Sequence, residues 1–320
     1  MKTLVLGGTR FIGLFLVKEL LARGHQVAVL NRGLTQADLP KEVERLRADR
    51  DDPAGMKEAL ARRSFDAVLD LSGYTVEQVQ GALDALGERA GHYLYTSSTA
   101  VYFGSPIYPI REHDRLMPDE RGGSYPWDKI RGERLVAQWS QNTGNPFSVI
   151  RPAYVYGPGT NTLGREPSYF YRLEHQRPLL LPTRGIPLAH LVHVEDIVQL
   201  FVQCLGNPRS YGQTYNGAGP DYPSLRGWFV ALAEAAGVAP NIVNVPDDLT
   251  PMMRSFPFQT RRCVIYSMDK AAWDLDYRPK YDTRAGLADS YAWYKRALAS
   301  TFTVDLSEDE AILAEIKKRG

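Results

Sequence analysis

The chain has 320 residues, 44% of them apolar and 23% charged, with a formal net charge of +1. That length exceeds one ordinary domain, and the absence of any apolar run of about 18 residues argues against a membrane role. A balanced charge leaves no global electrostatic footprint for nucleic acid, and two cysteines, Cys204 and Cys263, far apart in no metal-ligand spacing, suit a reducing cytoplasm and argue against structural zinc.

The first residues, MKTLVLGGTRFIG, read as a buried strand, because their apolar run is short and leads into glycines with no small-residue cleavage site. A strand over Thr3 to Leu6, a helix over Phe11 to Arg23 and a strand over Gln26 to Leu30 follow. Further along come a helix over Pro53 to Arg63, a strand over Ala67 to Leu71 and a helix near Glu77 to Ala90. The alternation ends with a strand over Tyr93 to Thr96, a helix from Tyr125 to Gln141 and a strand over Phe147 to Ile150. Such alternation specifies an α/β fold with a doubly wound parallel sheet and helices on both faces. From Arg151 the texture turns to Pro-, Gly- and Tyr-rich loops with helical stretches at Glu195 to Leu205 and Leu225 to Ala236. Leu188 to Val194 reads as a strand returning to the first domain, and the tail after Ser307 as a charged amphipathic helix. The expected division is therefore a dinucleotide-binding domain over 1–155 plus a returning segment of about 188–215. A smaller C-terminal substrate lobe takes 156–187 and 216–320.

Gly7-Gly8-Thr9-Arg10-Phe11-Ile12-Gly13 lies between the first strand and the first helix, where glycines permit a tight turn and close backbone approach to a pyrophosphate. The helix N-terminus then faces the anion. Arg10 replaces the middle glycine of the usual G-x-x-G-x-x-G spacing. The second strand ends in Asn31-Arg32, where an acid usually meets the ribose 2′-hydroxyl of NAD. Arg32 and Arg10 instead bring guanidinium groups that favour a 2′-phosphate, so the expected cofactor is NADP, with NAD second. The competing reading of Arg32 is a solvated loop residue.

Tyr125-Pro126-Trp127-Asp128-Lys129 puts a phenol and an ammonium on one helix face, with Pro126 tolerated in the first turn. A phenol is a poor base at neutral pH unless a cation stabilises its anion, and Lys129 supplies that cation. Upstream, Thr96-Ser97-Ser98-Thr99 forms a hydroxyl cluster at the C-terminal end of a strand, where open α/β sheets bind ligands.

The glycine turn, Ser97-Ser98 before Val101-Tyr102, Tyr125-x-x-x-Lys129 and Arg151-Pro152-x-x-Val155-Tyr156-Gly157-Pro158, in this order, resemble the extended short-chain dehydrogenase/reductase superfamily, in its NAD-dependent epimerase/dehydratase group. The resemblance implies a Rossmann-type fold with Tyr125 as general acid/base, Lys129 tuning it and binding the nicotinamide ribose, and Ser98 hydrogen-bonding the reacting oxygen. It also implies that Asp49 and Arg50 lie beside the adenine, Leu71, Ser72 and Gly73 below the cofactor ribose, and Pro152 to Val155 near the carboxamide. Thr96 joins this cofactor set, and homodimers are common in the superfamily. A narrower likeness rests on Arg10 in the glycine turn, His193-Val194-Glu195-Asp196, Phe256-Pro257-Phe258 and Lys270-Ala271-x-x-x-Leu275. It is to the subgroup of chloroplast stem-loop-binding proteins and their bacterial relatives, which are linked to RNA.

Departures narrow the chemistry. Sugar 4,6-dehydratases place an Asp-Glu pair after the active-site hydroxyl, whereas this chain has Thr99-Ala100, which argues against water elimination by that route. Ala189-His190 stand where many nucleotide-sugar enzymes carry Arg-Asp for the diphosphate; Arg184, Arg261 and Arg262 are substitutes or ordinary surface. The six histidines show no metal pattern, His190 and His193 facing opposite sides of a strand. Tyr154, Tyr156, Tyr169, Phe170 and Tyr171 either stack on a sugar or base or simply pack a core. The reading is an NADP(H)-dependent oxidoreductase or epimerase acting on a small sugar-like or other carbonyl/alcohol substrate, a nucleotide sugar included. Its alternatives are an RNA-binding or RNA-processing protein on the same fold, and a non-catalytic NADP(H) sensor.

Overall fold

The computed structural model describes residues 1–35, 37–102 and 104–319. In chain order the elements are β1 (Lys2–Leu6), α1 (Phe11–Ala22), β2 (Gln26–Asn31), β3 (Glu44–Arg47), α2 (Pro53–Leu60), β4 (Ala67–Asp70), α3 (Val76–Leu86), β5 (Tyr93–Thr96), α4 (Ser124–Thr143) and β6 (Phe147–Pro152). After these come β7 (Tyr154–Tyr156), α5 (Glu166–Glu174), β8 (Leu179–Pro182), β9 (Leu191–His193), α6 (Val194–Cys204), β10 (Gln213–Gly217), α7 (Leu225–Ala236), β11 (Ile242–Val245), α8 (Asp269–Leu275), α9 (Thr283–Ala297) and α10 (Ser307–Arg319).

Two compact units result. The first comprises Met1–Ala153, Val194–Ala218 and Tyr266–Pro279. Its sheet has seven strands in the order β10-β6-β5-β4-β1-β2-β3, and every neighbouring pair is parallel. Strand order reverses between β1 and β4, so the crevice beyond their C-terminal ends is the place where such sheets bind ligands. β1 and β4 are buried on both faces, the signature of a parallel sheet covered by helices. Local chemistry sets the helix starts. Asp52 caps α2 with Pro53 in its first turn, and Thr75 and Gln78 form a capping box at α3.

β3 escapes sequence patterning because its Glu-Arg-Leu-Arg run is charged and buries only Leu46 at the sheet edge. Of the strand expected to return to the first domain over Leu188 to Val194, only Val194 groups with the first unit. Residues 191–193 form β9, which pairs with β7 in the second unit, and the place beside β6 is taken by β10. A three-residue strand, here Leu-Val-His, carries no information about which edge it will join; β10 has five residues in register with β6 from Ser148 to Pro152. Residues 266–279, expected in the smaller lobe, group with the first unit because α8 packs on α6 and β10.

The second unit comprises Tyr154–His193, Gly219–Ile265 and Lys280–Gly320. It holds the two-stranded sheets β7-β9 and β8-β11 and a core in which Phe170, Trp228, Phe229, Leu287 and Tyr294 are fully enclosed. α10 closes a second cluster by setting Ile312 against Leu180, Val245 and Leu249. Among the described residues no helix is long and apolar enough to cross a membrane.

Candidate functional site

The glycine turn is built for close approach. Gly7 has a φ of +101°, and a Cβ on Gly13 would stand 2.4 Å from the Gly7 carbonyl oxygen, so α1 starts directly against β1. Arg10 at the N-cap makes no side-chain cap, and no acid occupies the first turn of α1. The Gly13 N–H donates to Arg10 O at 2.9 Å, and a helix start without a side-chain cap is of the kind that suits an anion. At the end of β2, Asn31 Oδ1 accepts from the Gly33 N–H at 2.8 Å, and Arg10 Nε donates to Thr35 Oγ1 at 3.1 Å. Arg32 is exposed on this loop. Arg47, at the end of β3, lies against the same loop, its Nε 2.8 Å from where a Gly33 Cβ would be.

Lys129 is buried to 1% exposure while Tyr125, one helical turn before it, is 43% exposed. The Lys129 ammonium lies 5.8 Å from the centre of the Tyr125 ring. It donates to the carbonyls of Gly73 and Thr96, both at 2.7 Å. Burial pushes its pKa down to about 8, against the pull of the Asp70 carboxylate. Ser98 Oγ accepts from the Ala100 N–H at 3.1 Å and caps the turn over Thr99–Val101, which fixes the hydroxyl at the end of β5.

Beneath these groups lie Asp70, Tyr95 and Glu133, to which no sequence pattern pointed. Asp70, fully buried at the end of β4, accepts from the N–H groups of Ser72 (3.2 Å) and Gly73 (3.0 Å) and from the Tyr93 hydroxyl (2.7 Å). Arg50 grips it with both guanidinium nitrogens, reaching Oδ2 at 2.8 Å, and also donates to Ser72 Oγ at 3.0 Å. Arg50, placed beside the adenine by the resemblance, uses both terminal nitrogens on Asp70 and its neighbours, the Gln78 carbonyl included, while its buried Nε has no partner among the described residues. That ion pair holds the Asp70 carboxyl below the usual carboxylate range. Tyr95 joins from β5, its hydroxyl donating to Gly73 O at 3.2 Å. On α4, Glu133 accepts from Ser97 Oγ at 2.5 Å and is bound by Arg151 at 2.9 and 2.6 Å; Arg151 also reaches the Tyr102 hydroxyl at 2.9 Å. The one available signal was Glu133 standing four residues after Lys129, on the same helix face.

Thr9 closes the glycine turn through its N–H to Gly7 O at 3.0 Å, and Phe11 and Ile12 follow in the first turn of α1. Asp49 Oδ1 accepts from the Asp51 N–H at 3.2 Å. Leu71, Ser72 and Gly73 form the loop after β4, and Pro152 ends β6 in register with Gly217. Val155 belongs to the second unit, in β7 opposite Val192. There His190 Nε2 lies 2.9 Å from Gly219 O, and burial pushes the His193 imidazole down to about 4.

Residues 3–218 match the model of the NAD dependent epimerase/dehydratase family. The chain belongs to this family. Among its relatives is the chloroplast stem-loop binding protein of 41 kDa b of Arabidopsis thaliana, 35% identical over 306 residues, 91% of this chain and 78% of that protein. The UDP-glucose 4-epimerase of Mycolicibacterium smegmatis is 27% identical over 92% of this chain and 99% of its own length. In fold, the UDP-glucose 4-epimerase of Thermotoga maritima, solved with UDP-glucose, superposes with a TM-score of 0.80 at 18% identity, covering 93% of this chain and all of that one. The Thermus thermophilus UDP-glucose 4-epimerase complex with NAD superposes with a TM-score of 0.76 at 24% identity, covering 93% of this chain and 100% of that one. In this chain Ser98 stands just after β5, and Tyr125 and Lys129 stand on α4.

Proposed function

We propose that this protein is an NADP(H)-dependent oxidoreductase or epimerase acting on a sugar-like or other carbonyl/alcohol substrate. The observation that carries the reading is the buried Lys129 ammonium, held by two carbonyls and 5.8 Å from the Tyr125 ring centre. A cation there lowers the cost of a phenolate, so Tyr125 accepts or returns a proton near neutral pH. Ser98, fixed by its cap, hydrogen-bonds the substrate oxygen whose proton Tyr125 moves. A nicotinamide cofactor, when bound, supplies or accepts the hydride. Gly7 and Gly13 let its pyrophosphate approach the backbone, the uncapped start of α1 binds the anion, and Lys129 holds the ribose next to the nicotinamide. Arg10 and Arg32, with Arg47 against the same loop, favour the 2′-phosphate over a bare ribose. Without an acid-base pair after Ser98, sugar dehydration is not among the reactions proposed.

Equilibrium titration of nucleotide-free protein with NADP(H) and NAD(H), followed by turnover screening over sugars and nucleotide sugars, tests the reading. NADP(H) binds in preference, Arg32→Asp moves that preference towards NAD(H), and Tyr125→Phe lowers turnover by about 10²–10⁴-fold at unchanged cofactor affinity. An unchanged preference removes Arg32 from the site. Cofactor binding with no turnover by wild type leaves a sensor. Failure to bind either cofactor, together with tight, steeply salt-dependent binding of a structured RNA, transfers the function to the stem-loop reading that the Arabidopsis relative's name suggests.

A further inference from the structure

Lys129 is enclosed to 1% exposure, and three tyrosine rings surround its ammonium. The ring centres of Tyr95, Tyr74 and Tyr125 lie 5.1, 5.2 and 5.8 Å from Nζ. Tyr95 is fully buried, whereas Tyr74 is 54% exposed, more than Tyr125. The bond from Tyr95 to Gly73 O accounts for the first of these rings, and the Tyr125-x-x-x-Lys129 spacing for the last. Tyr74 comes from a different element, the loop between β4 and α3, and nothing so far explains its place over the cation.

That place is set by the backbone. The Tyr74 N–H donates to Ser72 O at 3.1 Å and to Gln78 Oε1 at 3.0 Å, and Gln78 belongs to the capping box that starts α3. The residue before it supplies Gly73 O, which accepts from Lys129 Nζ at 2.7 Å. Consecutive residues of one loop thus meet the ammonium, Gly73 through a carbonyl and Tyr74 through a ring face.

We propose that Tyr74 is a positioning residue of this site, its ring face holding the Lys129 ammonium in the charged form through a cation–π contact. An ammonium has three N–H donors. Gly73 O and Thr96 O occupy two of them. A ring face attracts the charge without accepting a hydrogen bond of ordinary geometry, so it steadies the cation and keeps the remaining donor available to a ligand. A carboxylate at position 74 would take that donor, and an aliphatic side chain would enclose the ammonium without attracting it. The surrounding charges leave room for such a contribution. Burial opposes the cation most strongly; Asp70 favours it, Arg50 opposes it and Glu133 favours it. Attraction by neutral rings adds to the side of the cation without adding another buried charge. The contact is made within the protein itself and does not require turnover; only its consequence for a Tyr125 phenolate rests on the redox reading.

NMR of the nucleotide-free full chain carrying side-chain-labelled lysine tests this, with the Lys129 signal assigned by its loss in Lys129→Met. The wild-type signal is expected to titrate at about 8, apart from the exposed lysines. Tyr74→Leu keeps an apolar side chain but removes the ring, and lowers that midpoint by about half to one pH unit. Tyr74→Phe keeps the ring and removes the hydroxyl, and leaves the midpoint at the wild-type value. Circular dichroism checks that both variants fold. A measurement on wild type stands beside them should Tyr74→Leu not fold: nuclear Overhauser contacts join the Tyr74 ring protons to the Cε protons of Lys129. An unchanged midpoint in Tyr74→Leu overturns the proposal, and so does a raised one, which would make the ring only a shield from water. An equal fall in Tyr74→Phe, or the absence of the ring-to-lysine contact in wild type, overturns it as well. None of these readouts uses a substrate or cofactor, so absence of turnover would bear on the redox reading alone.

Discussion

Lys129 enters the interior as a cation, and its stability consequence has a definite sign. Its folded pKa of about 8 lies below the ordinary 10.5, so between those values the unfolded chain binds more protons and stability rises with pH. At neutral pH the folded protein carries an electrostatic penalty on the order of a few kcal/mol from this one residue. Comparing the melting temperatures of wild type and Lys129→Met therefore shows a difference that moves in favour of wild type from about pH 8 to 10.5. A difference flat across that range removes the buried cation. Asp70 behaves oppositely. Its carboxyl is held below 3.8, so its contribution is present above that value and is lost as pH falls through the folded pKa. Asp70→Asn leaves Arg50 buried without its partner and is expected to cost about 3–5 kcal/mol in urea unfolding at pH 7. An effect within about 0.5 kcal/mol of wild type contradicts the pair's burial. Tyr125 and Lys129 were legible because both lie on one helix at a spacing that faces them together. Arg50 and Asp70 stand on different elements, and only the sheet brings them into contact.

Gly13 and Gly132 are among the glycines at which neighbouring segments come closest. Gly13→Ala drives a methyl group into the Gly7 carbonyl, backbone that has nowhere to move. The expected outcome is a loss of about 2–4 kcal/mol in urea unfolding together with loss of NADP(H) binding; retention of both means α1 stands off β1. Gly132 lies where α4 crosses β5, and a Cβ there would meet the Tyr95 hydroxyl at 2.4 Å. Gly132→Ala pushes away the phenol that donates to Gly73 O, the same carbonyl that holds Lys129. Turnover is expected to fall more than cofactor affinity, and equal losses in both would place the strain elsewhere. The alternation of strands and helices was readable because long buried strands and amphipathic helices have different periods. β3 was not, since an exposed edge strand needs no apolar alternation. The partner of β9 was not either, since a strand of three residues fits any edge.

At the scale of the molecule, each unit owns its core, and the second relies on its last helix. α10 covers Leu180, Val245 and Leu249 with Ile312, and Asp309 pairs with Arg172 of α5 at 2.6 Å. Removing residues 306–320 bares that cluster and leaves Arg172 unpaired, so calorimetry is expected to show a melting temperature lowered by several degrees. An unchanged transition would make the helix an appendage. The sequence by itself determined the parallel α/β class, the glycine turn and the Tyr125-Lys129 pair, because periodicity, turn chemistry and helical spacing are local properties. Tertiary structure alone decided that β10 completes the first sheet, that residues 266–279 join the first unit, and that Arg50 and Asp70 underlie the Gly73 loop whose carbonyl holds the Lys129 ammonium. Each of these depends on which distant segments meet, and that is settled by burial summed over the whole chain.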